Sequence, residues 1–144
     1  MTFVEIGMGQ ITVLCVDDDP DLVTLTASLL EETNERFETV AETNPRAAIE
    51  RLKTGSIDCI VSDYDMPEMN GLELLESVRN DYPELPFILF TGKGDDEVAS
   101  AAMAQDVTDY FLKGAESGQY SRLAERIATA TQGRTGQPEI YTSN

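Results

Sequence analysis

The chain has 144 residues, 41% of them hydrophobic, which suffices for one domain with a buried core, and no apolar run is long enough to span a membrane. Against 10 Lys and Arg stand 27 Asp and Glu, a net charge of −17 with no histidine. So acidic a surface repels nucleic acid and anionic lipid, which are bound through cationic contacts, and neither is expected as a partner.

Residues 1–10 form an expected N-terminal extension, without the basic start and long apolar stretch of a secretory signal, and the chain is expected in the cytoplasm. Only Lys53, Lys93 and Lys113 are lysines; many carboxylates with little lysine suit a salt-rich cytoplasm, so a halophilic origin is expected. The first strand, Ile11–Val16, runs into Asp17, Asp18 and Asp19. A helix is predicted over 20–32, with Asp19 as cap, Pro20 in the first turn, and Leu22, Leu25, Leu29 and Leu30 as its apolar stripe. Residues 37–41 alternate with polar positions, as a strand near a sheet edge does. Asn44-Pro45 opens a helix through Leu52, which Gly55 closes.

The third strand, Cys59–Ser62, runs into Asp63 and a loop over 63–70; Leu72, Leu74, Leu75 and Val78 then predict a helix over 71–79. Tyr82-Pro83 and Leu85-Pro86 punctuate the chain before a strand at 87–90 that runs into Thr91. A helix over 95–104, a strand Asp109–Leu112 ending at Lys113, and a helix over 116–131 complete the series; residues 132–144 read as a flexible tail. Cys15 and Cys59 fall inside central strands and read as small core hydrophobes, since no histidine or CxxC accompanies them.

Five β-α units call for an open, doubly wound parallel sheet with helices on both faces; an eight-fold barrel needs about 250 residues. In such sheets ligands bind beyond the carboxyl ends of the strands, where Asp17, Asp18, Asp63, Thr91 and Lys113 converge. Neighbouring carboxylates repel unless a cation compensates, and hard oxygen ligands of this kind suit Mg²⁺. Asp63 can act as a nucleophile toward phosphorus, with Lys113, the Thr91 hydroxyl and the metal neutralising the phosphoryl oxygens. Singly, the aspartates read as a solvated turn, Thr91 as a turn former and Lys113 as a surface charge; four strand ends together outweigh those readings.

The segments Val16-Asp-Asp-Asp-Pro20, Ser62-Asp-Tyr-Asp-Met-Pro67, Asn70-Gly71, Phe90-Thr91-Gly92 and Tyr110-Phe-Leu-Lys113 resemble the response-regulator receiver domain of two-component signalling, over residues 11–131. The resemblance implies a flavodoxin-like sheet of order 2-1-3-4-5. It implies Asp63 as acceptor of a phosphoryl group from a sensor histidine kinase, and Mg²⁺ held by Asp17, Asp18, Asp63 and the backbone carbonyl of Asp65. Thr91 and Tyr110 match the switch residues, and Lys113 the phosphate-pairing lysine. A downstream protein would bind the face formed by the fourth helix, fifth strand and fifth helix.

Several positions depart from the pattern. Gly114 stands where a cis proline usually follows the lysine, which implies a looser loop. Asn70 replaces a frequent aspartate before glycine, and both suit a turn. Gln105-Asp106 replaces a small-residue–glycine pair, so Asp106 is expected in a left-handed conformation. Gly92-Lys93-Gly94 is permissive enough for a moving loop, and Asp65 and Lys93 are expected to pair across the mouth of the site and tune hydrolysis of the acyl phosphate. The chain is expected to catalyse only its own phosphoryl transfer and slow dephosphorylation. With no second domain read after the fifth helix, output is expected through protein contact or phosphotransfer, whether the chain stands alone or is excised from a larger sensor. Two alternatives are an interaction module that acts without phosphorylation and an aspartate-nucleophile phosphohydrolase using Asp63-Tyr64-Asp65.

Overall fold

Along β1 (Ile11–Val16) successive side chains point to opposite sides, Val13 and Cys15 one way, Leu14 and Val16 the other, and both sets are buried. A strand apolar on both faces must be covered on both faces. The computed structural model describes residues 9–92, 96–114 and 118–132. In it β1, β2 (Phe37–Glu42), β3 (Cys59–Ser62), β4 (Phe87–Thr91) and β5 (Asp109–Leu112) form one parallel sheet of order β2-β1-β3-β4-β5, as expected.

Among the described residues five helices cover it: α1 (Pro20–Thr33), α2 (Pro45–Leu52), α3 (Gly71–Asp81), α4 (Asp96–Ala104) and α5 (Gln119–Ala130). Val23, Ala27 and Leu30 of α1 and Leu123, Ala124 and Ile127 of α5 join Val13, Cys15, Cys59 and Val61 on one face. Ala48 and Leu52 of α2, Leu74, Leu75 and Val78 of α3, and Ala102 of α4 pack on the other. Among the described residues no helix is long and apolar enough to cross a membrane.

The helix starts follow from their caps. Asp19 accepts hydrogen bonds from the Asp21 and Leu22 N–H groups ahead of Pro20, and Asn44 does the same for Arg46 and Ala47 ahead of Pro45. Asn70 and Glu73 form a reciprocal capping box at α3. The starts expected at 95 for the fourth helix and 116 for the fifth lie outside the described residues, as do most of the extension (1–8) and most of the tail (133–144).

One expectation is corrected in α1. Leu22 and Leu25 are 42% and 47% exposed, and the buried stripe is Val23, Thr26, Ala27 and Leu30. Both sets have helical spacing; Pro20 and the Asp19 cap fix where the helix begins and so which set turns inward.

Cys15 and Cys59 are buried in the core as thiols, as expected. Burial, then the negative charge of Glu31, pushes the Cys15 thiol up to about 12. Asp106 adopts the anticipated left-handed conformation, φ 61°. Its carbonyl oxygen accepts from Arg79 Nε at 3.0 Å, while Arg79 Nη1 donates to the carbonyl oxygens of Tyr82 (3.2 Å) and Leu85 (2.7 Å). One guanidinium thus ties the end of α3 to the approaches of β4 and β5; burial lowers its pKa, an effect partly offset by the charge of Asp106.

Candidate functional site

The register of β1 on β3 pairs Val16 with Ser62, so Asp17 and Asp63 leave the sheet side by side, where the strand order reverses direction. The Asp63 N–H donates to the Val16 carbonyl oxygen at 2.9 Å. One carboxylate oxygen from each of Asp17, Asp18 and Asp63 lies within 4.8 Å of the others. That grouping of hard oxygen donors fits a small divalent cation with water completing its shell. In support, the Asp18 carboxyl is raised above its ordinary value, by desolvation first, then by the charge of Asp17, with smaller contributions from Asp63 and Asp65, against the lowering effect of a backbone hydrogen bond.

Asp17 is buried, and both its oxygens are engaged. Oδ1 accepts from the Asp19 N–H at 3.0 Å, and Oδ2 accepts from Lys113 Nζ at 3.0 Å. The Lys113 ammonium also lies 5.4 Å from the centre of the Phe90 ring, within range of a cation–π contact. The Lys113 N–H donates to the Thr91 carbonyl oxygen at 2.9 Å, and Thr91 is fully buried at the end of β4. Asp63 Oδ1 accepts from the Tyr64 N–H at 2.8 Å. Asp17, Asp18, Asp63, Asp65, Thr91 and Lys113 line one open cleft of about 310 Å³. A cleft of about 360 Å³ at the amino ends of β3 and β4, between Leu52, Ile57, Tyr82 and Leu85, brings together no such group of titratable residues.

Of the residues singled out from the sequence, those six are brought together. Tyr110 is half-buried in β5 against the α2–α4 side of the core, and it does not line the cleft. Lys93 lies outside the described residues, and with it the expected Asp65–Lys93 pair. The loop expected to be looser after Gly114 continues into residues outside the described ones; Gly114 itself is bonded to Gln119. The Gly114 N–H donates to Gln119 Oε1 at 3.0 Å, and Gln119 Nε2 donates to the Gly114 carbonyl oxygen at 2.7 Å.

Two further features were missed in the sequence. A Cβ on Gly71 would fall on the Asp63 carbonyl oxygen and crowd Leu89 and the Tyr64 Cα, so the loop after Asp63 closes only over a glycine. The Asn70-Gly71 pair was the available signal, but it reads as a turn preference. Leu22 lines the mouth of the cleft because α1 turns it outward.

The doubly wound sheet carries an acidic cluster, a buried threonine and a lysine at its carboxyl edge, the arrangement of a receiver-type signalling domain. The family model of the response regulator receiver domain matches residues 13–127, and the chain belongs to that family. It is 34% identical over 126 residues to an uncharacterized 14.6 kDa protein of Leptolyngbya boryana, covering 85% of this chain and 94% of that one. It is also 34% identical over 116 residues to the response regulator protein FleR of Pseudomonas aeruginosa, covering 81% of this chain and only 24% of FleR. The signal receiver domain of a signal transduction histidine kinase from Syntrophus aciditrophicus superposes with a TM-score of 0.73 at 26% identity, covering 92% of this chain and 98% of that one.

Proposed function

We propose that the chain is a phosphorylation-dependent switch in which Asp63 accepts a phosphoryl group from a histidine kinase. The observation that carries this reading is the set of three carboxylates within 4.8 Å, with Lys113 held 3.0 Å from one of them. An Asp63 carboxylate oxygen forms a bond to phosphorus as the phosphorus–nitrogen bond of a phosphohistidine breaks. The electron pair leaves on the imidazole nitrogen, which takes a proton from solvent. Lys113 exchanges its contact with Asp17 for a phosphoryl oxygen, and the Thr91 hydroxyl approaches another. Mg²⁺ bound by Asp17, Asp18, Asp63 and the Asp65 backbone carbonyl would supply Lewis-acid neutralisation of the same oxygens.

Movement at Thr91 and of Tyr110 would then shift a pre-existing equilibrium between two surfaces of α4, β5 and α5. Exposed Met103 and Leu112 on α4 and β5 support a protein partner for that face. Asp65 and Lys93 flanking the mouth would set the lifetime of the acyl phosphate. The working unit in this reading is residues 11–131, flanked by an extension and a tail, acting in the cytoplasm with no enzyme activity beyond its own phosphorylation and slow dephosphorylation. The test is intact mass after incubation with Mg²⁺ and a small acyl-phosphate donor at high salt. One phosphoryl adduct that needs Mg²⁺ and disappears in Asp63→Asn is the expected result. No adduct, together with no beryllofluoride binding, favours an interaction module that works without phosphorylation.

A further inference from the structure

A lysine that must move between Asp17 and an incoming phosphoryl oxygen is useful only if its backbone stays still. Its side chain reaches about 6 Å, so a small turn about the backbone dihedrals displaces the ammonium by ångströms. The two peptide planes that flank Lys113 are both held. The plane before it is fixed by the Lys113 N–H donating to the Thr91 carbonyl oxygen at 2.9 Å. The plane after it contains the Gly114 N–H, which donates to Gln119 Oε1 at 3.0 Å. Peptide planes are rigid, so a hydrogen bond on each restricts the φ and ψ of Lys113. Gln119 also donates to the Gly114 carbonyl oxygen at 2.7 Å, so a single side-chain amide closes a two-bond ring on a glycine backbone.

A second observation from the same turn of α5 points the same way. The Lys113 ammonium lies 5.4 Å from the Phe90 ring centre, and that ring is met edge-on by Tyr120 at 5.5 Å and 77°. Gln119 and Tyr120 therefore brace the lysine at its backbone and beneath its charged end. The N-cap of α5 is Gly118, which has no side chain, and the Gln119 amide that follows it is engaged with Gly114.

We propose that Gln119 is a positioning residue for Lys113, holding the backbone pivot about which the lysine transfers from Asp17 to the phosphoryl group. This rests on the reading of the site as a phosphoryl acceptor. The test is a double-mutant cycle on the rate of phosphorylation by a small acyl-phosphate donor at saturating Mg²⁺, with amide hydrogen exchange measured on the same proteins. Gln119→Ala slows phosphorylation roughly three- to ten-fold in the wild-type background and leaves Lys113→Ala no slower than it already is, because the two residues act through one group. The Gly114 and Lys113 amides exchange faster in Gln119→Ala than in wild type. Equal slowing in both backgrounds, or unchanged exchange at Gly114, overturns the proposal. If the wild type takes no phosphoryl group, the functional reading fails, and the exchange rates of the Gly114 and Lys113 amides still decide whether Gln119 fixes the lysine.

Discussion

At the scale of single residues, the site depends on a glycine as much as on its carboxylates. Gly71 opens α3 directly over the Asp63 carbonyl, and its N–H donates to the Tyr64 carbonyl oxygen at 2.8 Å. Gly71→Ala forces backbone away from backbone, which no rotamer change relieves. The expected cost is about 1–3 kcal/mol in denaturant unfolding, with slower phosphorylation because Asp63 moves with its loop. Asp18 behaves oppositely. A carboxyl held above its ordinary pKa binds its proton more tightly folded than unfolded, so in the ionised form it opposes folding at neutral pH. Asp18→Asn should therefore raise the Tm of the metal-free protein in EDTA by about 1–3 °C, a small gain because the group is exposed and screened. Mg²⁺ should then raise the Tm of the wild type and do much less for the variant.

Elements were legible where pattern and punctuation agreed. The sheet order came from the family resemblance, while the strand ends carrying Asp17, Asp63, Thr91 and Lys113 and the caps Asp19 and Asn44 follow from local chemistry. The phase of α1 did not, since two stripes of correct spacing compete, and the larger leucines of the wrong one, Leu22 and Leu25, draw the eye from Val23, Thr26 and Ala27. Nor did the Gln119–Gly114 ring, a contact between a side chain and a backbone that no periodicity encodes. The same kind of contact holds edge strand β2. Glu31 Oε2 on α1 accepts from the Thr39 N–H at 2.9 Å and the Thr39 hydroxyl at 2.7 Å, covering a donor that an edge would otherwise present. The Thr39 hydroxyl first, and then its N–H, lower the Glu31 pKa from 4.5. A lowered carboxyl stabilises the fold above its unfolded value and loses that contribution as pH falls through its folded value. Glu31→Gln should accordingly cost about 1–2 °C in Tm at pH 7, with the gap to wild type closing below pH 4.5.

Over the whole molecule, charge is the dominant unbalanced quantity. The resolved ion pairs join Glu42 to Arg51, Glu50 to Lys53, Glu68 to Arg46, Asp109 to Arg126 and Asp17 to Lys113. With 10 cations against 27 acids, even complete one-to-one pairing leaves 17 carboxylates uncompensated. Their mutual repulsion is larger in the folded chain than in the expanded one, so it works against folding at low ionic strength. Raising salt from 0.1 M to 1 M shortens the Debye length from about 10 Å to about 3 Å, less than the spacing of most surface charges. The Tm should rise by about 5 °C or more over that range, equally in NaCl and KCl, since screening depends on ionic strength and not on the identity of the cation. An uncharged osmolyte at matched osmolality separates this from general surface exclusion, because it leaves the repulsion untouched. A Tm that stays flat in both salts would mean that the carboxylates are spaced widely enough for water alone to screen them, and the acidic composition would then carry no dependence on salt.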